Sequence, residues 1–339
     1  MIPEAARAIR DRGWVSVPLM TESRRNAMPG QPSGNGSPPS VSVCLPALNV
    51  EGTIGEICSS INGALMPGTV DELIVIDTGS SDSTRATAAA AGAEVYHVED
   101  IAPQLDEGGK GEALWKSVAV ARGDVVVWID SDIHNFTPDF VTRLVKPLLA
   151  SPDVAMTKAY YRRPLQRGSS TNDDDGGGRV TEIALRPLVN LLCPELTEII
   201  QPLSGEYAIR REVALGLPFF SGYGVDIGLL VDVVHDYGPA AVRQVDLGTR
   251  VHTNRSLHAL GRTSFEVMTA FLTRMADLGR LSLHEPLGET LRQFDAGDRP
   301  SIARSAVVQL PPWRFGLAGI VDGERLTKTI GHVSTGTIG

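Results

Sequence analysis

Two carboxylates one residue apart, Asp130-Ser131-Asp132, follow directly on the apolar run Val125 to Ile129. Hard oxygen ligands of this kind suit Mg2+ or Mn2+, ions that keep several waters and bridge to substrate phosphates. Placed beyond the end of a strand, such a pair faces the crevice where open α/β sheets take their ligands. The plain alternative is a solvated turn capping the next helix, since Asp-x-Asp alone is a short motif. Three companion segments favour the metal site. Pro46-Ala47-Leu48-Asn49-Val50-Glu51 follows an earlier apolar run, with Thr53 or Glu51 able to cap the helix behind it. Asp77 to Thr84 offers Thr78, Gly79 and Ser80 to a ribose or base, although Ser81 or Ser83 could equally be plain helix caps. Gly108-Gly109-Lys110-Gly111 is not a phosphate-binding loop of the Walker type, because glycine follows the lysine. An ammonium at a helix start still suits a diphosphate. No Gly-x-Gly-x-x-Gly follows the first strand, which counts against a dinucleotide-binding dehydrogenase.

The elements that must position these residues alternate. Val41 to Leu45, Leu73 to Ile76, Ala93 to Val98 and Asp124 to Ile129 read as strands buried on both faces, and Ile54, Ile57, Ile61 and Leu65 recur at helical spacing. This pattern predicts an α/β fold with a mostly parallel sheet flanked by helices. Further strands are expected at Val154 to Tyr161 and Ala241 to His252, and an amphipathic helix over Ser264 to Leu278. Another helix is expected from Arg179, with Ile183, Leu188 and Leu191 or Leu192 on its apolar side. Residues 1–40 read as a flexible leader, 41–255 as the ligand-binding core, and 256–339 as a C-terminal helical extension and tail. Gly168 to Gly178, with its run of Asp and Gly, reads as a mobile loop and a possible lid.

Composition narrows the classes. The 339 residues are 42% hydrophobic and 21% charged, which is ordinary for a globular protein. No apolar run approaches the length of a membrane span, and Glu4, Arg7, Arg10, Asp11 and Arg12 lack a following apolar stretch, so neither membrane nor secretion is expected and the cytoplasm is the default. Three widely spaced cysteines, Cys44, Cys58 and Cys193, predict core thiols rather than a disulfide framework or zinc site. A formal charge of -9 disfavours nucleic acid, so any anionic ligand needs a local basic cluster.

The combination resembles the GT-A, Rossmann-like nucleotide-sugar glycosyltransferases. Tyr161 to Leu165, Gly176 to Glu182, Gln201 to Tyr207 and Gly222 to Leu230 narrow the likeness to the glucosyl- and mannosyl-3-phosphoglycerate synthases, from about Val41 to about Asn254. The resemblance implies a retaining, metal-dependent hexosyl transfer from a sugar nucleotide to the 2-hydroxyl of 3-phosphoglycerate, with a smaller C-terminal acceptor-binding portion. It implies that Pro46, Ala47, Leu48, Thr78, Gly79 and Ser80 surround the nucleoside. Lys110, Asp130, Ser131, Asp226 and Arg250 then face the rest of the sugar nucleotide, with Asp130, Asp132 and Asp226 as the catalytic carboxylates. The metal, Mg2+ or Mn2+, falls to Asp132 and His252, and imidazole is an acceptable ligand for either ion. Gly178, Arg179, Thr181 and Asn254 fall to the acceptor, whose phosphate an arginine can grip bidentately.

The glucosyl enzymes look like they carry Glu where this chain has Val50, and Glu where it has Asp226. Val50 is expected to leave room for a purine, which points to GDP-mannose and a mannosyl-3-phosphoglycerate synthase, with UDP-glucose or GDP-glucose and a glucosyl enzyme as the alternative. A homodimer is expected from the amphipathic C-terminal helix. A non-catalytic sugar-nucleotide sensor would have no use for Asp130, Asp132 and His252, and a processive polysaccharide synthase would need membrane helices.

Overall fold

β-Branched apolar runs become strands here because both faces of the sheet are covered by helices, so the inner strands Glu72–Asp77, Val125–Trp128 and Tyr207–Arg210 bury every residue they offer. The chain runs β1 (Val41–Ala47), α1 (Glu51–Leu65), β2 (Glu72–Asp77), α2 (Thr84–Ala90), β3 (Glu94–His97), α3 (Gly109–Val120), β4 (Val125–Trp128), α4 (Asp139–Ala150) and β5 (Met156–Arg162). It continues through α5 (Arg186–Leu192), β6 (Tyr207–Arg210), α6 (Arg211–Gly216), α7 (Val225–Tyr237), β7 (Val242–Thr249) and α8 (Leu257–Asp277). This computed structural model describes residues 38–313 apart from 106, 164, 168–170, 174–177, 252–255, 295–298 and 305–306. Nearly all of the expected leader and most of the Gly168 to Gly178 loop therefore lie outside the described residues, as do His252 and Asn254.

The seven main strands lie in the order β7-β5-β6-β4-β1-β2-β3. All pairs are parallel except those of β6, which runs antiparallel between β4 and β5, with Tyr207 opposite both Trp128 and Lys158. The α/β, mostly parallel expectation holds. The inserted strand matters for the site, because its first residues meet the ends of its neighbours. One face of the sheet packs Trp115, Trp128, Phe219, Phe220 and Phe271, and the other Val43, Leu45, Ile54, Phe140 and Leu144. All three cysteines are buried and unpaired, as expected.

Two readings change. Ile183 and Leu191 are exposed, while Leu185 and Val189 are buried. A π turn over Val180–Leu185 precedes α5 and adds a residue to the local period, which rotates the apolar stripe predicted from a uniform 3.6 repeat. The closing segment, for which the sequence pattern says little, returns to the core. Gln309–Leu310 pairs with Phe219–Phe220, and Trp313 stacks on Trp115 with centroids 4.1 Å apart. Each indole N–H donates to a carbonyl, Trp115 to Pro311 and Trp313 to Trp115, at 2.7 Å.

Candidate active site

The loops after β1 and β2 are tied side chain to main chain. Asn49 adopts a left-handed φ of 52°, donates its amide to Ser80 Oγ at 2.9 Å, and accepts the Ser81 amide at 2.9 Å on Oδ1. Val50 N donates to Thr84 Oγ1 at 2.8 Å, and Glu51 accepts from Ser83 N at 2.8 Å. None of the residues expected to cap their own helices does so through its side chain, and those of Glu51, Thr53 and Ser81 are engaged between the loops. Asp77, fully buried, accepts the amides of Gly79 and Ser80 at 3.2 Å. Ser131 Oγ donates to Pro46 O at 2.7 Å, and Thr53 Oγ1 to Ser131 O, tying the β4 turn to the β1 loop. Leu48 stands 54% exposed in the loop after β1. Val50 is half-buried and packs against the core.

At the C-terminal ends of the strands four carboxylates meet two cations. Lys110 Nζ lies 2.9 Å from Asp130 Oδ1 and 3.2 Å from Asp226 Oδ2. Arg250 Nη2 lies 2.9 Å from both Asp130 Oδ2 and Asp132 Oδ1, and its Nε lies 3.0 Å from Glu206 Oε1. Lys110 reaches this point because α3 starts against the turn before α7: a Cβ on Gly111 would come 1.8 Å from Phe220 O. The loop that presents Lys110 is held from within by Glu112, which accepts the amides of Glu107 and Gly108 and is paired with Lys116, both side chains wholly buried. Asp226 sits in the first turn of α7, with Oδ1 buried and without a hydrogen-bond partner.

Electrostatics follow from this crowding. Burial works against the charged form of Asp130, but Lys110 and Arg250 outweigh it and hold the carboxyl below its ordinary range. Burial likewise works against the Lys110 ammonium, and Asp130 and Asp226 outweigh it and raise its pKa. Glu206 is pushed upward by burial, with Arg250 opposing. Lys158, buried beneath the cluster, is lowered to about 8 by burial, with Asp226 opposing. Its ammonium donates to Ser204 O at 2.8 Å and lies 4.0 Å from the Tyr207 ring centroid.

The donor set suits a hard divalent cation. Two cations directly paired with four carboxylates leave surplus negative charge, and Asp132 is the most exposed of the four, at 40%, with one oxygen on Arg250. Among the described residues no three His, Cys, Asp or Glu side chains gather as a ready metal cage, and His252 lies outside them. Asp132 is thus the described residue that could hold the ion. On the acceptor side, Gly178 takes a φ of 75° ahead of the π turn, Arg179 opens that turn and Thr181 is buried within it.

Sequence reasoning gave no site role to Gly205, Glu206, Tyr161 or Lys158. A Cβ on Gly205 would come 2.1 Å from Asp130 Oδ2, so glycine is what lets the strand pass the carboxylate. Glu206 immediately before the apolar Tyr207-Ala208-Ile209 was the available signal, a carboxylate entering a buried strand.

Residues 42–193 match glycosyl transferase family 2. The glucosyl-3-phosphoglycerate synthase of Mycolicibacterium paratuberculosis is 51% identical over 237 residues, 69% of this chain and 72% of that one. A crystal structure of the Mycobacterium tuberculosis glucosyl-3-phosphoglycerate synthase with Mn2+, UDP-glucose and phosphoglyceric acid is 44% identical with a TM-score of 0.73, covering 82% of this chain and 91% of that one. Another structure of that enzyme, with Mg2+ and UDP, is 41% identical with a TM-score of 0.73, covering 89% and 96%.

Proposed function

We propose, because this chain belongs to the glucosyl-3-phosphoglycerate synthase family of retaining GT-A glycosyltransferases, that it moves glucose from UDP-glucose to the 2-hydroxyl of 3-phosphoglycerate with the help of Mg2+ or Mn2+. This takes the alternative donor over GDP-mannose. The relatives carry glucose in their names, and UDP-glucose accompanies the Mycobacterium tuberculosis enzyme.

The observation that carries the reading is the meeting of Lys110, Arg250, Asp130, Asp132 and Asp226 at one edge of the sheet. The loops 46–50 and 78–80 supply a rigid wall for the nucleoside, with Leu48 as its apolar surface. Lys110 and Arg250 sit where charge grows on the departing diphosphate, and pre-placed cations of this kind lower the barrier without reorganising at the moment of reaction. A divalent ion on Asp132 would neutralise diphosphate charge in the same way. Asp226, paired with Lys110 at the cleft, is the carboxylate offered to a hexose hydroxyl. Arg179 and Thr181 take the acceptor phosphate. Attack and departure occur on the same face of the sugar. The acceptor oxygen bonds to C1, the C1–O bond to the diphosphate breaks, and a diphosphate oxygen takes the hydroxyl proton, so no protein base is assigned.

A donor panel with 3-phosphoglycerate, reading release of UDP or GDP, tests this. UDP-glucose is expected to be turned over fastest, and a higher rate with GDP-mannose would overturn the donor assignment.

A further inference from the structure

We propose that Glu206 is a positioning residue for the transfer, acting through Arg250, an inference that rests on the glycosyltransferase reading for its effect on rate. Arg250 contacts two carboxylates of the cleft with one terminal nitrogen, which requires its guanidinium plane to be fixed by something else. Glu206 supplies that constraint. Its Oε1 forms an ion pair with Arg250 Nε at 3.0 Å, on a different nitrogen from the one that meets Asp130 and Asp132.

Glu206 is itself held at two points. Its Oε2 accepts the Tyr161 hydroxyl at 2.6 Å, and its carbonyl accepts the Ala159 amide at 3.0 Å, both from β5. Tyr161 in turn accepts from Arg163 Nη2 at 2.6 Å and presents its ring 4.7 Å from the Arg163 guanidinium. The preceding residue, Gly205, lies against Asp130. One short segment at the start of β6 therefore sets both the Asp130 carboxylate and the cation that spans Asp130 and Asp132. Glu206 is wholly buried, so it has no route to either substrate and acts through Arg250. Such supporting partners are worth roughly 10–100-fold when removed from a charged site.

The test uses the full chain and has two arms. With 15N-arginine labelling, the Arg250 Nε–H resonance, identified by its loss in Arg250→Lys, is expected to move in Glu206→Gln and less far in Tyr161→Phe. An unmoved resonance in both variants overturns the proposal, whatever the donor turns out to be. The kinetic arm is a double-mutant cycle on the donor that the panel selects. Glu206→Gln is expected to lower kcat roughly 10–100-fold with the KM for 3-phosphoglycerate unchanged, and to cost less than about twofold more in the Arg250→Lys background. Equal losses in both backgrounds would show that Glu206 acts independently of Arg250 and refute the proposal. Should Glu206→Gln fail to fold, Tyr161→Phe takes its place in the cycle, with the same near-silence expected beside Arg250→Lys and the same refutation by equal losses.

Discussion

Two buried arginines divide the molecule into a sealed region and an open one. Arg274, in α8, donates from Nη2 to Asp232 Oδ2 of α7 at 2.8 Å, its Nε lies 2.7 Å from Oδ1 as an ion pair, and its remaining nitrogen reaches Asp277 and Gln309 at 3.1 Å. Arg274 and Asp232 are 1% and 2% exposed. Arg250 is nearly as buried, at 5%, yet it is spread over three carboxylates, of which Asp130 is 23% and Asp132 40% exposed. The residue types are the same and the outcomes differ. A buried pair backed by Asp277 and Gln309 fastens two helices, whereas a guanidinium shared among carboxylates at a strand edge leaves charge facing the cleft for a ligand to complete.

Removing Asp132 is the strongest way to break this contrast. Asp132→Ala is expected to lower kcat at least about a thousandfold, about 4 kcal/mol of barrier, with little change in the denaturant midpoint. Chelation by EDTA should do the same to the wild-type protein, and full turnover in either case would remove the metal from the open region. In the sealed region the loss should fall on stability. Asp232→Ala leaves the buried guanidinium with Asp277 as its remaining carboxylate and should cost up to about 3–5 kcal/mol in denaturant unfolding, while Asp232→Leu with Arg274→Met recovers most of it. An Asp232→Ala protein of wild-type stability would show that the pair fastens nothing.

Lys158 tests the boundary between the two, since it is as buried as Arg274 but holds a carbonyl and a ring face in place of a carboxylate. Its pKa falls from 10.5 to about 8 on folding because burial disfavours the ammonium. Below pH 8 both states are protonated and the folded state bears the full cost, on the order of 3 kcal/mol. Between pH 8 and 10.5 the unfolded chain binds the extra proton, so stability from this group rises with pH. Lys158→Met should therefore stabilise the protein at pH 7, and its advantage should shrink as pH climbs from 8 to 10.5. An advantage independent of pH would contradict the lowered pKa. The smallest effect is expected at the acceptor end. Arg179→Ala should raise the KM for 3-phosphoglycerate about tenfold to a hundredfold, from about 1.5–3 kcal/mol of charge-assisted contact, with the sugar-nucleotide KM unchanged. Equal rises in both would mean that Arg179 supports the whole cleft.

What the sequence determined by itself was local in origin. Strands β1, β2 and β4 are apolar runs rich in Val and Ile, and the loops that leave them carry their polar residues at fixed offsets from those runs, so Pro46 to Val50, Thr78 to Ser80 and Asp130 to Asp132 were legible as one edge of one sheet. Lys110 was legible for the same reason, at the start of α3. The tertiary structure decided what depends on distant partners. Tyr207–Arg210 carries no mark of inserting antiparallel between β4 and β5, yet that insertion brings Gly205 against Asp130 and Glu206 against Arg250, 44 positions further along the chain. The π turn that turned Ile183 and Leu191 outward, and the return of Trp313 to Trp115 across 198 positions, belong to the same class. Periodicity and capping act over a few residues. Pairing of buried charges and aromatic rings is settled by which surfaces the packed elements bring together, and that information is written in no single stretch of the chain.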